Sequence, residues 1–143
     1  MALAGETKVL GASEAPQQLN LEAVVMEFRE RLGISENIAL AIVEGNKYLV
    51  SVQRSKEQKD AFIIQFERHF LSTLTEEDMR AVLAHEMGHI WIFTHHPYLQ
   101  TEALANQKAS ELVPRESLRQ IYEKVWRIEG QKGTLEEFLA RVE

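Results

Sequence analysis

At 143 residues, 45% hydrophobic and 27% charged, the chain has the length of one domain and enough apolar content for a core without disulfide staples. It has no cysteine, which excludes thiolate metal sites and disulfide scaffolds. A net charge of -6 argues against a nucleic-acid binder, which normally shows a basic face, and no apolar run approaches the roughly 20 residues of a membrane span.

Met1 to Gln18 is rich in Ala, Gly and Glu and contains Pro16. It lacks a basic start followed by an apolar run, so it is not an intact signal peptide. Residues 1–19 read as a flexible arm ahead of a single domain over 20–143. The chain is expected to be soluble, and cytoplasmic, or secreted if a signal was removed from a longer precursor.

Asn20 reads as the N-cap of a helix from Leu21 to Leu32 with Leu21, Val24, Val25 and Phe28 as its apolar stripe, stopped by Gly33. Ile38–Val43 and Tyr48–Val52 read as strands joined by a tight hairpin at Gly45-Asn46, and Ala61–Phe66 as a third strand after a charged loop. Thr75 and Asp78 form a capping-box pattern that opens a helix from Glu76 to about His95, which Pro97 ends. Further helices are expected over Tyr98–Leu112 and Glu116–Glu129, the latter closed by Gly130. A last short helix is opened by Thr134 and Glu137. The fold class is therefore α+β, with about three strands and four or five helices.

The helix from Glu76 carries His85-Glu86-Met87-Gly88-His89. Two histidines four residues apart on a helix differ by roughly 40° around the axis and ~6 Å along it, so both imidazoles can face one metal ion. Glu86, roughly 100° round from His85, can reach a metal-bound water rather than the metal itself. The sequence around them is apolar nearly all round, so the helix should be buried, and a buried carboxylate needs a partner such as a divalent cation. Gly88 costs a helix about 1 kcal/mol relative to alanine and suits a place where another backbone comes close. Trp91, Trp126, Met79 and Met87 are expected in the core.

Catalytic zinc takes a third protein ligand and leaves a fourth position open. His95 lies ten residues after His85, as in the extended pattern HExxHxxGxxH, but Ile92 stands where that pattern has glycine. On an unbroken helix His95 sits about 15 Å along from His85 and cannot share the ion. Glu102, on a helix that can fold back after Pro97, is the better candidate. Asn106, one turn on, can accept the free N–H of His85 and fix its tautomer.

The stretch Thr75 to His89 resembles the active-site helix of gluzincin peptidases, and Thr101-Glu102-Ala103-Leu104-Ala105-Asn106 resembles their glutamate helix, usually written ExxAD. The likeness is closest to the CAAX-prenyl and heat-shock membrane zinc peptidases and to the soluble minigluzincins, and it spans about Leu21 to Leu112. It implies a small mixed sheet packed on the active-site helix, with His85, His89 and Glu102 as zinc ligands and Glu86 as general base. Asn106 departs from the family's usual aspartate. The expected activity is that of a zinc metalloendopeptidase acting on a peptide or protein substrate. The competing readings are a latent or non-catalytic zinc module, in which the C-terminal helices cap the cleft, and a zinc hydrolase of a non-peptide bond. His96, Tyr98 and Tyr122 are the candidate oxyanion donors. The strand Ala61–Phe66 is the expected free edge on which a peptide would add as a further strand.

Overall fold

A computed structural model describes residues 15–45, 48–130 and 133–143. The chain forms two compact units, Met1–Leu74 and Thr75–Glu143.

The first unit opens with helix α1 (Ala15–Leu32). It begins upstream of Asn20, which lies inside the helix rather than capping it. Pro16 falls in its first turn, where the missing N–H has no intrahelical partner to lose. Residues 1–14 of the expected arm lie outside the described residues. Leu21, Val24, Val25 and Phe28 are buried, as their spacing predicts. Gly33 follows with φ 67°, and the Arg29 side chain ties the exit down by donating to the carbonyls of Ile34 and Ser35.

The strands are β1 (Asn37–Val43), β2 (Val50–Arg54) and β3 (Ala61–Glu67), in the order β1-β3-β2. β1 pairs with β3 in parallel and β2 with β3 antiparallel. Two expectations fail here. β1 and β2 do not pair as a hairpin (Asn46, in the expected turn, lies outside the described residues), and β3 is the central strand rather than a free edge. The reason is in β3 itself. Ala61, Phe62, Ile63, Ile64 and Phe66 are all buried, so the strand is apolar on both faces, whereas β2 is half-buried to exposed along its length. A continuous apolar run marks a strand flanked on both sides. The chain then turns directly into α2 (Arg68–Ser72), a short helix that the sequence reading did not anticipate. The Glu67 carboxylate caps it by accepting from the backbone N–H groups of His69 and Phe70.

The second unit is helical: α3 (Glu76–His95), a 3-10 turn at Pro97–Leu99, α4 (Glu102–Ala109), α5 (Arg115–Glu129) and α6 (Leu135–Val142). The Thr75–Asp78 and Thr134–Glu137 capping boxes are both formed, and Gly130 closes α5 with φ 61°. Thr101 caps α4 by accepting from the Leu104 N–H. Asp78 also receives Lys124 of α5 at 2.5 Å, which joins the start of α3 to α5. Gly88 is where the backbones of α3 and α4 meet. A Cβ there would lie 2.3 Å from the carbonyl oxygen of Ala105. Met79 and Met87 are buried as expected, but neither tryptophan is in the core. Trp91 is half-buried, stacked on His95 with ring centroids 4.3 Å apart and covered by the Lys108 ammonium at 4.0 Å. Trp126 is also half-buried.

Among the described residues, no helix is long and apolar enough to cross a membrane.

Candidate metal centre

The site lies wholly within the second unit and is built from α3, α4 and the turn between them. α3 presents His85 and His89 on one face, their rings 4.7 Å apart. The break at His96-Pro97 turns the chain back, and the first residue of α4, Glu102, meets both histidines. His89 Nε2 lies 2.6 Å from Glu102 Oε2, His85 Nε2 lies 3.3 Å from it, and the two Nε2 atoms are 3.2 Å apart. Among the described residues this is the one group of three His, Cys, Asp or Glu side chains whose ligand atoms converge in this way. The histidine side chains are 12% and 20% exposed and the carboxylate 50%, so the cluster is walled by the imidazoles and open beside Glu102.

The other ring nitrogens face amide oxygens. His85 Nδ1 is 2.8 Å from Asn106 Oδ1, and His89 Nδ1 is 2.8 Å from Gln100 Oε1. Both amides are fixed by their NH2 groups. Asn106 Nδ2 donates to the carbonyl of Val142 and the hydroxyl of Tyr122, and Gln100 Nε2 donates to the carbonyl of His89. Both imidazoles must then carry their proton on Nδ1 to satisfy those oxygens. Their Nε2 lone pairs turn inward, toward each other and toward the Glu102 oxygen. Three lone-pair atoms at such separations repel unless a cation lies among them. Two donors of a tetrahedral zinc site with bonds of about 2.0–2.1 Å are about 3.3 Å apart. The distances of 3.2 and 3.3 Å fit this spacing, and at the shorter 2.6 Å contact a second proton, on His89 Nε2, takes the cation's place in an imidazolium–carboxylate hydrogen bond. The donor set therefore fits a divalent metal with His2Glu chemistry.

Electrostatics follow from the same contacts. The bonds from His85 and His89 hold the Glu102 carboxyl far below the usual carboxylate range. Burial alone would lower His89, but its bonds to Glu102 and Gln100 outweigh burial and raise it. Glu86 is buried, and burial pushes its carboxyl up against the opposing pull of the His85 and His89 charges. Those charges and that of Glu102 act on it, so it stands beside the cluster. Burial, then the Glu102 charge, push the Tyr122 phenol far above its usual range, so it remains a neutral O–H.

Each residue singled out from sequence is thus placed. His85, His89 and Glu102 come together, Asn106 lies behind His85, and Glu86 is buried next to them. His95 is elsewhere, stacked on Trp91 with its Nδ1 near the Trp91 carbonyl. Of the three candidate donors only Tyr122 is at the cluster, its hydroxyl 3.3 and 3.4 Å from the two His85 nitrogens. His96 is exposed beside Trp91, and Tyr98 is 97% exposed. Gln100 was missed. The signal was the position of an amide two residues before the candidate glutamate, which means nothing until the turn at Pro97 is known.

A buried HExxH helix joined to a glutamate from the next helix defines the metallopeptidase class. The chain belongs to Peptidase family M48, whose model matches residues 18–129. Its fold is similar to two crystal structures of archaeal metallopeptidase zymogens. Abylysin of Pyrococcus abyssi aligns with TM-score 0.54 and 16% identity over 80% of this chain and 99% of that one. Jannalysin of Methanocaldococcus jannaschii aligns with TM-score 0.54 and 16% identity over 76% and 96%. Among the curated proteins no sequence matches the chain. The protein is a metallopeptidase with a small mixed sheet and an α+β fold.

Proposed function

We propose that the protein is a zinc endopeptidase in which His85, His89 and Glu102 hold the metal and Glu86 is the general base. The observation that carries this reading is the convergence of two Nε2 lone pairs and one carboxylate oxygen, each histidine set in its tautomer by an amide behind it. When bound, the zinc polarises the scissile carbonyl and lowers the pKa of water toward neutrality. Three protein ligands leave a fourth position open, and the half-exposed side of Glu102 supports entry from there. Glu86 takes the proton from the attacking water and gives it to the leaving amine. A buried glutamate beside the ligands has no use in a purely structural site, which favours an enzyme over a metal-holding module. Tyr122 keeps its proton, and with its oxygen accepting from Asn106 its O–H faces the His85 ring, from where it can turn to donate toward negative charge developing there.

Dialysis against zinc should leave one ion per chain. The loaded protein should cleave an unfolded protein at internal bonds, read by mass spectrometry of the products, and a chelator should abolish the cleavage. A chain that takes up no zinc, or a loaded chain whose cleavage a chelator leaves unchanged, contradicts the reading.

A further inference from the structure

Asn106 does more than face His85. Its Oδ1 lies 2.8 Å from His85 Nδ1, and its Nδ2 donates to the Val142 carbonyl at 2.6 Å and to the Tyr122 hydroxyl at 3.2 Å. The Val142 carbonyl can only accept. It therefore decides which end of the amide faces it, and so which end faces the imidazole. With the NH2 on Val142, the oxygen is on His85, the imidazole proton is on Nδ1, and the Nε2 lone pair points at the cluster. Val142 ends α6, and its carbonyl is among those that a helix end leaves without an intrahelical partner. Apolar packing also seats that helix. Phe138 packs edge-on against Tyr122, ring centroids 5.8 Å apart, and Phe138, Leu139 and Val142 are all buried.

We infer that α6 is a positioning element of the metal centre: the seating of its last turn and the metal-ready tautomer of His85 are linked through the Asn106 amide. The linkage explains why an amide stands at this position. A carboxylate would satisfy His85 equally well, but it would set an oxygen against the Val142 oxygen at 2.6 Å. Only a group with an acceptor for the His85 N–H and a donor for the Val142 carbonyl serves both, and the Tyr122 hydroxyl adapts to either. Loss of an outer partner of a ligand histidine typically costs 10–100-fold in metal affinity. By reciprocity, the metal must favour the seated form of α6 by the same factor that seating favours the metal.

The inference rests on His85 being a metal ligand, and the test separates the two claims. Hydrogen exchange of the α6 amides is measured on the full chain, metal-free and zinc-loaded, and taken relative to the amides of α5. The ratio removes the general slowing that any bound ligand brings. Zinc should slow α6 relative to α5 by about tenfold or more, although α6 supplies no ligand. Asn106→Leu should bind zinc more weakly and, once saturated, should lose the α6 response. Asn106→Asp should bind zinc but leave α6 loose in both states, because it keeps the acceptor for His85 and repels Val142. A parent that binds zinc with no selective change in α6 overturns the inference. So does an Asn106→Asp chain whose α6 is as protected as the parent's. A parent that binds no zinc overturns the ligand assignment itself, and the inference with it.

Discussion

Gly88→Ala tests how the two helices that carry the His85–His89–Glu102 cluster are held. Alanine is the better helix former by about 1 kcal/mol, so on α3 considered alone the change should stabilise. The approach of α4 reverses the sign. The new Cβ would lie 2.3 Å from the Ala105 oxygen, 3.1 Å from its carbonyl carbon and 3.2 Å from its Cα. Ordinary carbon–oxygen contact is roughly 3.4 Å, so α4 must retreat by about 1 Å. The obstacle is backbone, which cannot rotate away as a side chain would. Overpacking of this kind costs about 1–3 kcal/mol, which leaves a net loss of up to about 2 kcal/mol. Glu102 lies one turn before Ala105 on the same short helix and moves with it. Metal sites tolerate displacements of roughly 0.5 Å, so zinc affinity should fall at least about tenfold. Thermal melting of the metal-free protein and zinc titration against a competing chelator read the two effects. A Gly88→Ala chain that melts higher than the parent and binds zinc equally well refutes the close approach and the placement of Glu102 that follows from it.

Glu102→Ala should weaken zinc binding by at least about tenfold while His95→Ala leaves it unchanged, since Glu102 meets both histidines and His95 is stacked on Trp91; the opposite ranking in the same titration contradicts the ligand set. Asp78→Asn should cost about 1–2 kcal/mol at neutral pH by weakening the bonds from Lys124 and the Thr75 N–H. Burial, the largest influence on Asp78, is outweighed by those bonds, so its folded pKa lies below 3.8. The stabilisation is therefore complete above pH 3.8 and is lost as pH falls through the lower folded value, and the gap in stability between parent and variant should close in acid. A gap that persists unchanged at low pH would mean the ion pair is not its source. Proline placed singly at Ile63 and at Ile64 should unfold the sheet in both cases, because β3 is bonded on both sides. Val52→Pro in β2 should be milder than Gln53→Pro: the Ser55 N–H reaches the Ala61 carbonyl and the Glu67 N–H the Leu49 carbonyl, so by alternation the Gln53 N–H faces β3 and the Val52 N–H faces away from it. Urea melts of the four variants check the order.

What could be read from the sequence was local. The capping boxes at Thr75 and Thr134, the stop at Gly130 and the break at Pro97 depend on groups a few residues apart, and all form. The helical spacing of His85 and His89 is of the same kind. The meeting of Glu102 with the two histidines was reachable because setting His95 aside needed only the pitch of a helix and the missing glycine at Ile92. Strand pairing was not local. The partner of β1 is decided by which strand is apolar on both faces, and the run Ala61–Phe66 carried that signal but was taken for an edge. The partners of the site's amides were also out of reach, since Gln100 depends on the turn and Val142 arrives from 36 residues beyond Asn106. The tryptophans were assigned to the core by type, whereas Lys108 and His95 give Trp91 polar company at the surface.

The central claim is that a metal held by His85, His89 and Glu102 hydrolyses peptide bonds with Glu86 as base. The most direct measurement is peptide hydrolysis by zinc-loaded Glu86→Gln beside the zinc-loaded parent, with zinc content determined on the same samples. The variant should hold the same one zinc per chain and cleave at least ~10²-fold more slowly. Equal cleavage by parent and variant at equal zinc content would contradict the account.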